Sequence, residues 1–123
     1  MKSFIIISAF IALTAVNAIM YYTTENDYLD IDALMNNPAE VNNYVNCFVD
    51  RGSCDSVMAS YKKHFPEAVP TACQRCNNAQ KHLLNRFLRG LKSDYPSLYL
   101  SFKQKYDPNC MHMASLENAV AGY

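Results

Sequence analysis

The cysteines carry the most definite chemistry in this sequence. Four of the five lie within thirty positions: Cys47, Cys54, Cys73 and Cys76, separated by six, eighteen and two residues. In a secreted protein this spacing is typical of disulfides, whereas in the cytosol it would indicate a zinc site or a redox couple. The cellular compartment therefore decides whether this block of four cysteines forms disulfides, binds zinc or acts as a redox couple.

The N-terminal residues indicate an oxidising compartment. Lys2 supplies a single positive charge, residues 4–16 are apolar, and Val16 and Ala18 occupy the positions that a signal peptidase reads. The apolar stretch is shorter than the roughly 20 residues that a membrane span needs. We predict a cleaved secretory signal over residues 1–18. Residues 19–123 then form a single secreted, extracellular domain without stable membrane insertion.

Two local cross-links are feasible within this block. If Cys73 lies near a helix start, Cys76 lies one turn on, about 5 Å away, which is within disulfide range. A bond between Cys47 and Cys54 would join the end of one helix to the following turn. A redox pair or a four-cysteine zinc site remains an alternative, disfavoured by the absence of a strand-helix-strand pattern and by the secretory signal. Cys110 is left over, either as a free thiol or as a link between two chains.

Apolar residues recur at helical spacing along most of the mature chain. The two clearest stripes are Val41, Tyr44, Val45, Phe48 and Val49, and later Leu83, Leu84, Phe87, Leu88 and Leu91. No sustained alternation bounded by hairpin turns occurs, so the sequence predicts an all-α fold.

Capping residues and prolines predict the helix boundaries. Asn37 caps the first stripe helix, with Glu40 placed to reach back to the cap. Pro66 ends a second helix. Thr71 and Gln74 form a capping box that predicts the start of the third and longest helix at this point.

No residue pattern indicates catalysis or a metal site. His64, His82 and His112 are widely separated and stand in no metal-ligand pair, so we expect solvent-facing or capping roles for them. Nucleophile-elbow and P-loop contexts are absent. We therefore predict a protein that is not an enzyme and that has no cofactor and no bound metal.

The charge distribution gives no reason to expect a nucleic-acid partner. The chain has 11 basic and 11 acidic residues. The bases concentrate between positions 62 and 105, but they are spaced singly and lack an arginine-rich run or a base-stacking aromatic motif. A solvated surface explains them.

The cysteine spacing resembles that of the insect chemosensory proteins, matching it without a gap. Further segments resemble that family's motifs along residues 22–108: Tyr22-Thr23-Thr24 with Asp27, Asp30 and Asp32, then Tyr44-Val45-Asn46-Cys47, Asp50-Arg51-Gly52, Pro66-Glu67-Ala68, Gln80-Lys81 and Lys105-Tyr106-Asp107-Pro108. The chain departs from the family at Tyr99, which replaces a tryptophan, and at Cys110, which replaces a glycine.

The resemblance implies a compact bundle of about six helices around a hydrophobic channel, with two disulfides that pair sequence neighbours. It also implies a secreted carrier of small hydrophobic, long-chain ligands such as fatty acids, pheromones or odorants, with Tyr44 as the channel tyrosine. We expect the ligand to contact nine residues: Tyr44, Val45, Phe48, Leu84, Phe87, Leu88, Leu91, Tyr99 and Phe102. The alternative is a secreted structural or signalling protein of development, cuticle or immunity with no dedicated ligand, because periodicity alone does not show a cavity.

Overall fold

The computed structural model describes residues 18–123, so the predicted signal over residues 1–18 lies outside the described residues except for Ala18. This part of the chain contains seven α-helices and no strand. They are α1 (Ile31–Met35), α2 (Pro38–Phe48), α3 (Ser56–Lys62), α4 (Phe65–Ala68), α5 (Asn78–Asp94), α6 (Pro96–Tyr106) and α7 (Met113–Val120). The all-α prediction is confirmed, with six longer helices and one of only four residues.

Helix α2 begins as its sequence predicts. The Asn37 side chain accepts a hydrogen bond from the backbone N–H of Glu40, and Pro38 occupies the first turn, where its missing N–H costs nothing. The Glu40 carboxylate does not reach back to the cap; it accepts from the Asn43 side chain instead. The apolar stripe of α2 is buried, so the cap and the periodicity together define this helix.

The predicted helix start at Thr71 is wrong. Helix α5 begins seven residues later, where Asn77 and Gln80 form a reciprocal capping box. Ala72 and Cys73 have φ values of 54° and 61°, in the left-handed region that a right-handed helix cannot contain. The Thr71 hydroxyl donates to a carbonyl one turn earlier. A correct capping pattern was therefore overridden by the turn that the nearby disulfide closes.

Both local disulfides are present. Cys47 bonds to Cys54 and Cys73 bonds to Cys76, with Cα–Cα distances of 5.0 and 5.1 Å. A zinc site at these four residues is excluded because no thiolates remain to bind metal. The Cys73–Cys76 pair is also buried, which shields it from the attacking thiols that redox exchange requires. Cys110 is exposed and unpaired among residues 18–123, and its link to a second chain stays a prediction.

Helix α5 lies at the centre of the bundle, packed against α1, α6 and α7. Its residues Leu88 and Leu91 are completely buried, as is Phe102 of α6. Phe65 of α4 packs edge-to-face on Phe48 and Phe102, with ring centroids 4.8 and 5.2 Å apart. These contacts join α2, α4 and α6, and the packed end of the bundle lies around Leu88, Leu91 and Phe102. None of the helices in the described part combines the length and apolar character that crossing a membrane requires.

The C-terminal helix α7 is held by a buried carboxylate. Asp107 accepts hydrogen bonds from the backbone N–H groups of Met111, His112 and Met113 at 2.8 to 3.0 Å. Burial raises the pKa of the Asp107 carboxyl, but these donors outweigh it, so the net pKa lies below the usual aspartate range. The charged form of Asp107 therefore fixes the start of α7.

Candidate functional site

An apolar cavity lies at the other end of the bundle, between α1, α2, α4, α5 and the N-terminal segment, which we define as residues 20–29. The cavity volume open to a water-sized molecule is about 80 Å³. The empty space counted together with the open mouth is about 650 Å³. The main apolar wall consists of Ile31, Leu34, Phe48, Leu83, Leu84 and Phe87. The cavity is thus a narrow, open slot rather than a wide chamber.

Four of the nine residues predicted to contact a ligand line this cavity: Tyr44, Phe48, Leu84 and Phe87. They come from α2 and α5, whose apolar stripes face each other here. The helical spacing of these residues therefore places four of the nine predicted residues at one cavity.

The other five predicted residues do not line the cavity: Val45, Leu88, Leu91, Tyr99 and Phe102. All are buried in the packed part of the bundle. Tyr99 donates its hydroxyl to Glu117 at 3.1 Å, and burial together with that carboxylate raises the pKa of Tyr99 to about 12. A stripe shows which side chains are buried but not whether protein or empty space lies opposite, so any ligand role for these five stays a prediction.

The N-terminal segment supplies part of the wall that periodicity did not indicate. The Tyr22 ring lines the cavity, and its hydroxyl donates to Glu67 at 2.6 Å. The Gln80 amide donates to the Tyr22 carbonyl at 3.0 Å and to Asp27 at 3.1 Å, while Asn77 donates to the same aspartate. The segment is therefore fastened to the start of α5 by polar contacts.

Most polar groups around the cavity already have partners. Tyr22 is bound to Glu67, and Gln80 is bound as described above. Tyr61 donates its hydroxyl to the Asn26 carbonyl. These groups support the wall, and their donor hydrogens are already used within the protein.

Two polar groups of the lining remain uncommitted among residues 18–123. The Tyr44 hydroxyl forms no hydrogen bond there, and burial raises its pKa, with Asp55 and Glu40 adding to the effect. The Nε2 atom of His64 is buried without a partner. Burial lowers the pKa of His64, so both groups are neutral at pH 7. His64 stands at the N-cap position of α4, in line with the capping role expected for it, but its side chain forms no capping hydrogen bond and lies against the cavity instead.

The chemistry of this lining favours binding over catalysis. Within the described part of the chain, no Lys, Arg, Asp or Glu side chain lines the cavity, and no group of three or more potential metal ligands occurs. Apolar walls with a few oriented hydrogen-bonding groups are typical of sites for small apolar ligands.

Comparison with known proteins points to the same class. Residues 22–114 match the insect pheromone-binding family A10/OS-D. The chain is 31% identical over 88 residues to ejaculatory bulb-specific protein 3 of Drosophila melanogaster, covering 72% of this chain and 70% of that protein.

Two solved structures have a similar fold. A chemosensory protein in complex with bromo-dodecanol superposes with a TM-score of 0.72 at 26% identity, covering 79% of this chain and 97% of that one. Antennal chemosensory protein A6 from the moth Mamestra brassicae gives a TM-score of 0.65 at 23% identity, covering 80% and 91%. The resemblance first indicated by the cysteine spacing is confirmed, and the chain belongs to the insect pheromone-binding family A10/OS-D.

Proposed function

We propose that the protein is a secreted, non-enzymatic carrier that holds a small hydrophobic, long-chain ligand in the cavity between α1, α2 and α5. The observation that carries this proposal is the apolar slot itself, walled by aliphatic and aromatic side chains and open to solvent. Membership of a pheromone-binding family and the fatty alcohol bound by a related chemosensory protein support it.

The energetics of carriage are adequate for a long alkyl chain. Burying twelve methylene groups yields about 10 kcal/mol at roughly 0.8 kcal/mol each. Lost freedom and ordering cost about 4 to 15 kcal/mol. Micromolar affinity corresponds to about −8 kcal/mol. At the lowest ordering cost a twelve-carbon chain keeps about 6 kcal/mol, which corresponds to tens of micromolar, and a sixteen-carbon chain, with about 12 kcal/mol gross, reaches about 8 kcal/mol.

The wall moves when such a ligand enters. A narrow slot admits a long chain more readily when part of its wall yields. In the wall of the cavity, the N-terminal segment contains no helix and α1 has only five residues. We infer that they shift outward on loading while the packed end stays closed.

Secretion and domain organisation form part of the same proposal. Residues 1–18 are the signal and residues 19–123 the mature single domain. Two disulfides support this, since such bonds persist in oxidising compartments.

Displacement of a fluorescent apolar probe tests the carrier function. Saturable displacement by 1-dodecanol at micromolar concentration is the expected result. Failure of the probe and of C10 to C16 alcohols and acids to bind would contradict the proposal and favour a structural or signalling role without a ligand.

A further inference from the structure

We propose that His64 is the hydrogen-bonding anchor of the cavity and selects ligands whose polar end is a neutral oxygen group, a fatty alcohol above all, over fatty-acid carboxylates. This inference rests on the proposed carrier function and adds to it the chemistry of the ligand's head.

The first argument is the unused hydrogen-bonding capacity of His64. The residue lines the cavity, and its Nε2 atom is buried with no hydrogen-bond partner among residues 18–123. Buried side-chain nitrogen and oxygen atoms nearly always have a partner, because an unpaired one loses its bonds to water without replacement. Once the wall shifts on loading, a ligand head placed beside Nε2 would supply the missing bond.

The second argument is that the His64 ring is held in place before any ligand arrives. It stacks on Tyr22 with the ring centroids 4.1 Å apart and the planes inclined by 25°. Tyr22 is itself fixed by its bond to Glu67, and the Arg75 guanidinium lies 5.0 Å from the Tyr22 ring centroid. A preorganised group loses little freedom when it binds, which makes its hydrogen bond more effective.

The third argument concerns charge. Burial lowers the pKa of His64, and Lys63 and Arg75 lower it further, against the opposing effect of Glu67 and Asp27. A neutral imidazole carries one donor and one acceptor nitrogen, and a hydroxyl group can satisfy either. A carboxylate needs a cation when it leaves water, and the described lining contains no Lys or Arg. The site therefore matches a neutral head.

Competition against a fluorescent probe at pH 7 tests this assignment with three twelve-carbon compounds: 1-dodecanol, dodecanoate and dodecane. We expect the wild-type protein to prefer dodecanol. His64→Phe keeps an aromatic ring for stacking on Tyr22, and we expect it to weaken dodecanol binding about 3- to 10-fold, the range of one neutral hydrogen bond, while dodecane binding stays unchanged. His64→Gln restores part of the dodecanol affinity. His82→Phe is the matched control, because His82 is half-buried outside the cavity and contacts the Tyr123 carbonyl.

If His64→Phe weakened the binding of dodecanol and of dodecane equally, the anchor role of His64 would be overturned and the carrier function would stand. The same conclusion would follow if the wild-type protein bound dodecanoate as tightly as dodecanol, or more tightly. If the wild-type protein binds neither the probe nor any of the three compounds, the carrier function fails and the anchor with it. Should His64→Phe not fold, ¹⁵N NMR of the wild-type imidazole decides: dodecanol shifts the Nε2 resonance and dodecane does not, whereas identical responses refute the anchor.

Discussion

Leu84 and Leu88 form a matched pair on α5, one turn apart, that separates cavity wall from packed core. Leu84 lines the cavity, whereas Leu88 is completely buried against protein. Truncating a buried leucine to alanine costs about 2–5 kcal/mol, and the cost is lowest where the site already borders empty space. We expect Leu88→Ala to lower the free energy of unfolding by about 4 kcal/mol and Leu84→Ala by about 2 kcal/mol.

Ligand binding should show the opposite order. Leu84→Ala removes up to three carbon atoms from the wall, which lowers dodecanol affinity by about 1–2 kcal/mol, or roughly 5- to 30-fold. Leu88→Ala should leave affinity within about twofold. Urea denaturation measures the stabilities, and probe displacement well below each melting temperature measures binding. If Leu88→Ala weakened dodecanol binding as much as Leu84→Ala, the cavity would not be the binding site.

Two further predictions concern the cross-links and the buried carboxylate. Cys73 and Cys76 border the cavity, whereas Cys47 and Cys54 do not. Replacing Cys73 and Cys76 by serine should therefore lower dodecanol affinity and also the free energy of unfolding, by about 1.9 kcal/mol, while replacing Cys47 and Cys54 should lower the free energy of unfolding by about 2.5 kcal/mol and leave affinity nearly unchanged. Equal losses of affinity in the two double variants would contradict this prediction. Asp107, with its lowered pKa, contributes stability that is complete above the unfolded-state value near 4 and is lost as pH falls through the folded-state pKa. Asp107→Asn should therefore be less stable than the wild type at pH 6 by urea denaturation, with the gap narrowing towards pH 2, and a gap independent of pH would refute the charge argument.

The sequence predicted the parts of the fold that depend on local chemistry. Asn37 and Pro38 defined the start of α2, and the stripes of α2 and α5 defined which of their faces are buried. The cysteine spacing led to the family and hence to the disulfide pairing. The helix signals lie within a few neighbouring residues, and the cysteine signal lies within thirty positions.

Features that depend on an unusual turn or on distant contacts escaped prediction. Thr71 and Gln74 satisfy a capping pattern, but the left-handed backbone at Ala72 and Cys73 turns the chain instead. Leu84 and Leu88 share one stripe, and only the packed structure shows that the first borders empty space. His64 carries no pattern, since its role arises from Tyr22, 42 positions earlier in the chain.

Because polar contacts fasten the N-terminal segment, the ligand can exchange there while the helical bundle stays folded. Detaching Tyr22 breaks its contacts with Glu67, Gln80 and Arg75 and uncovers its buried ring. None of the largest completely buried side chains lies in that segment. A local opening of this kind costs less free energy than global unfolding does. A carrier built in this way can load and discharge its ligand repeatedly without passing through a denatured intermediate.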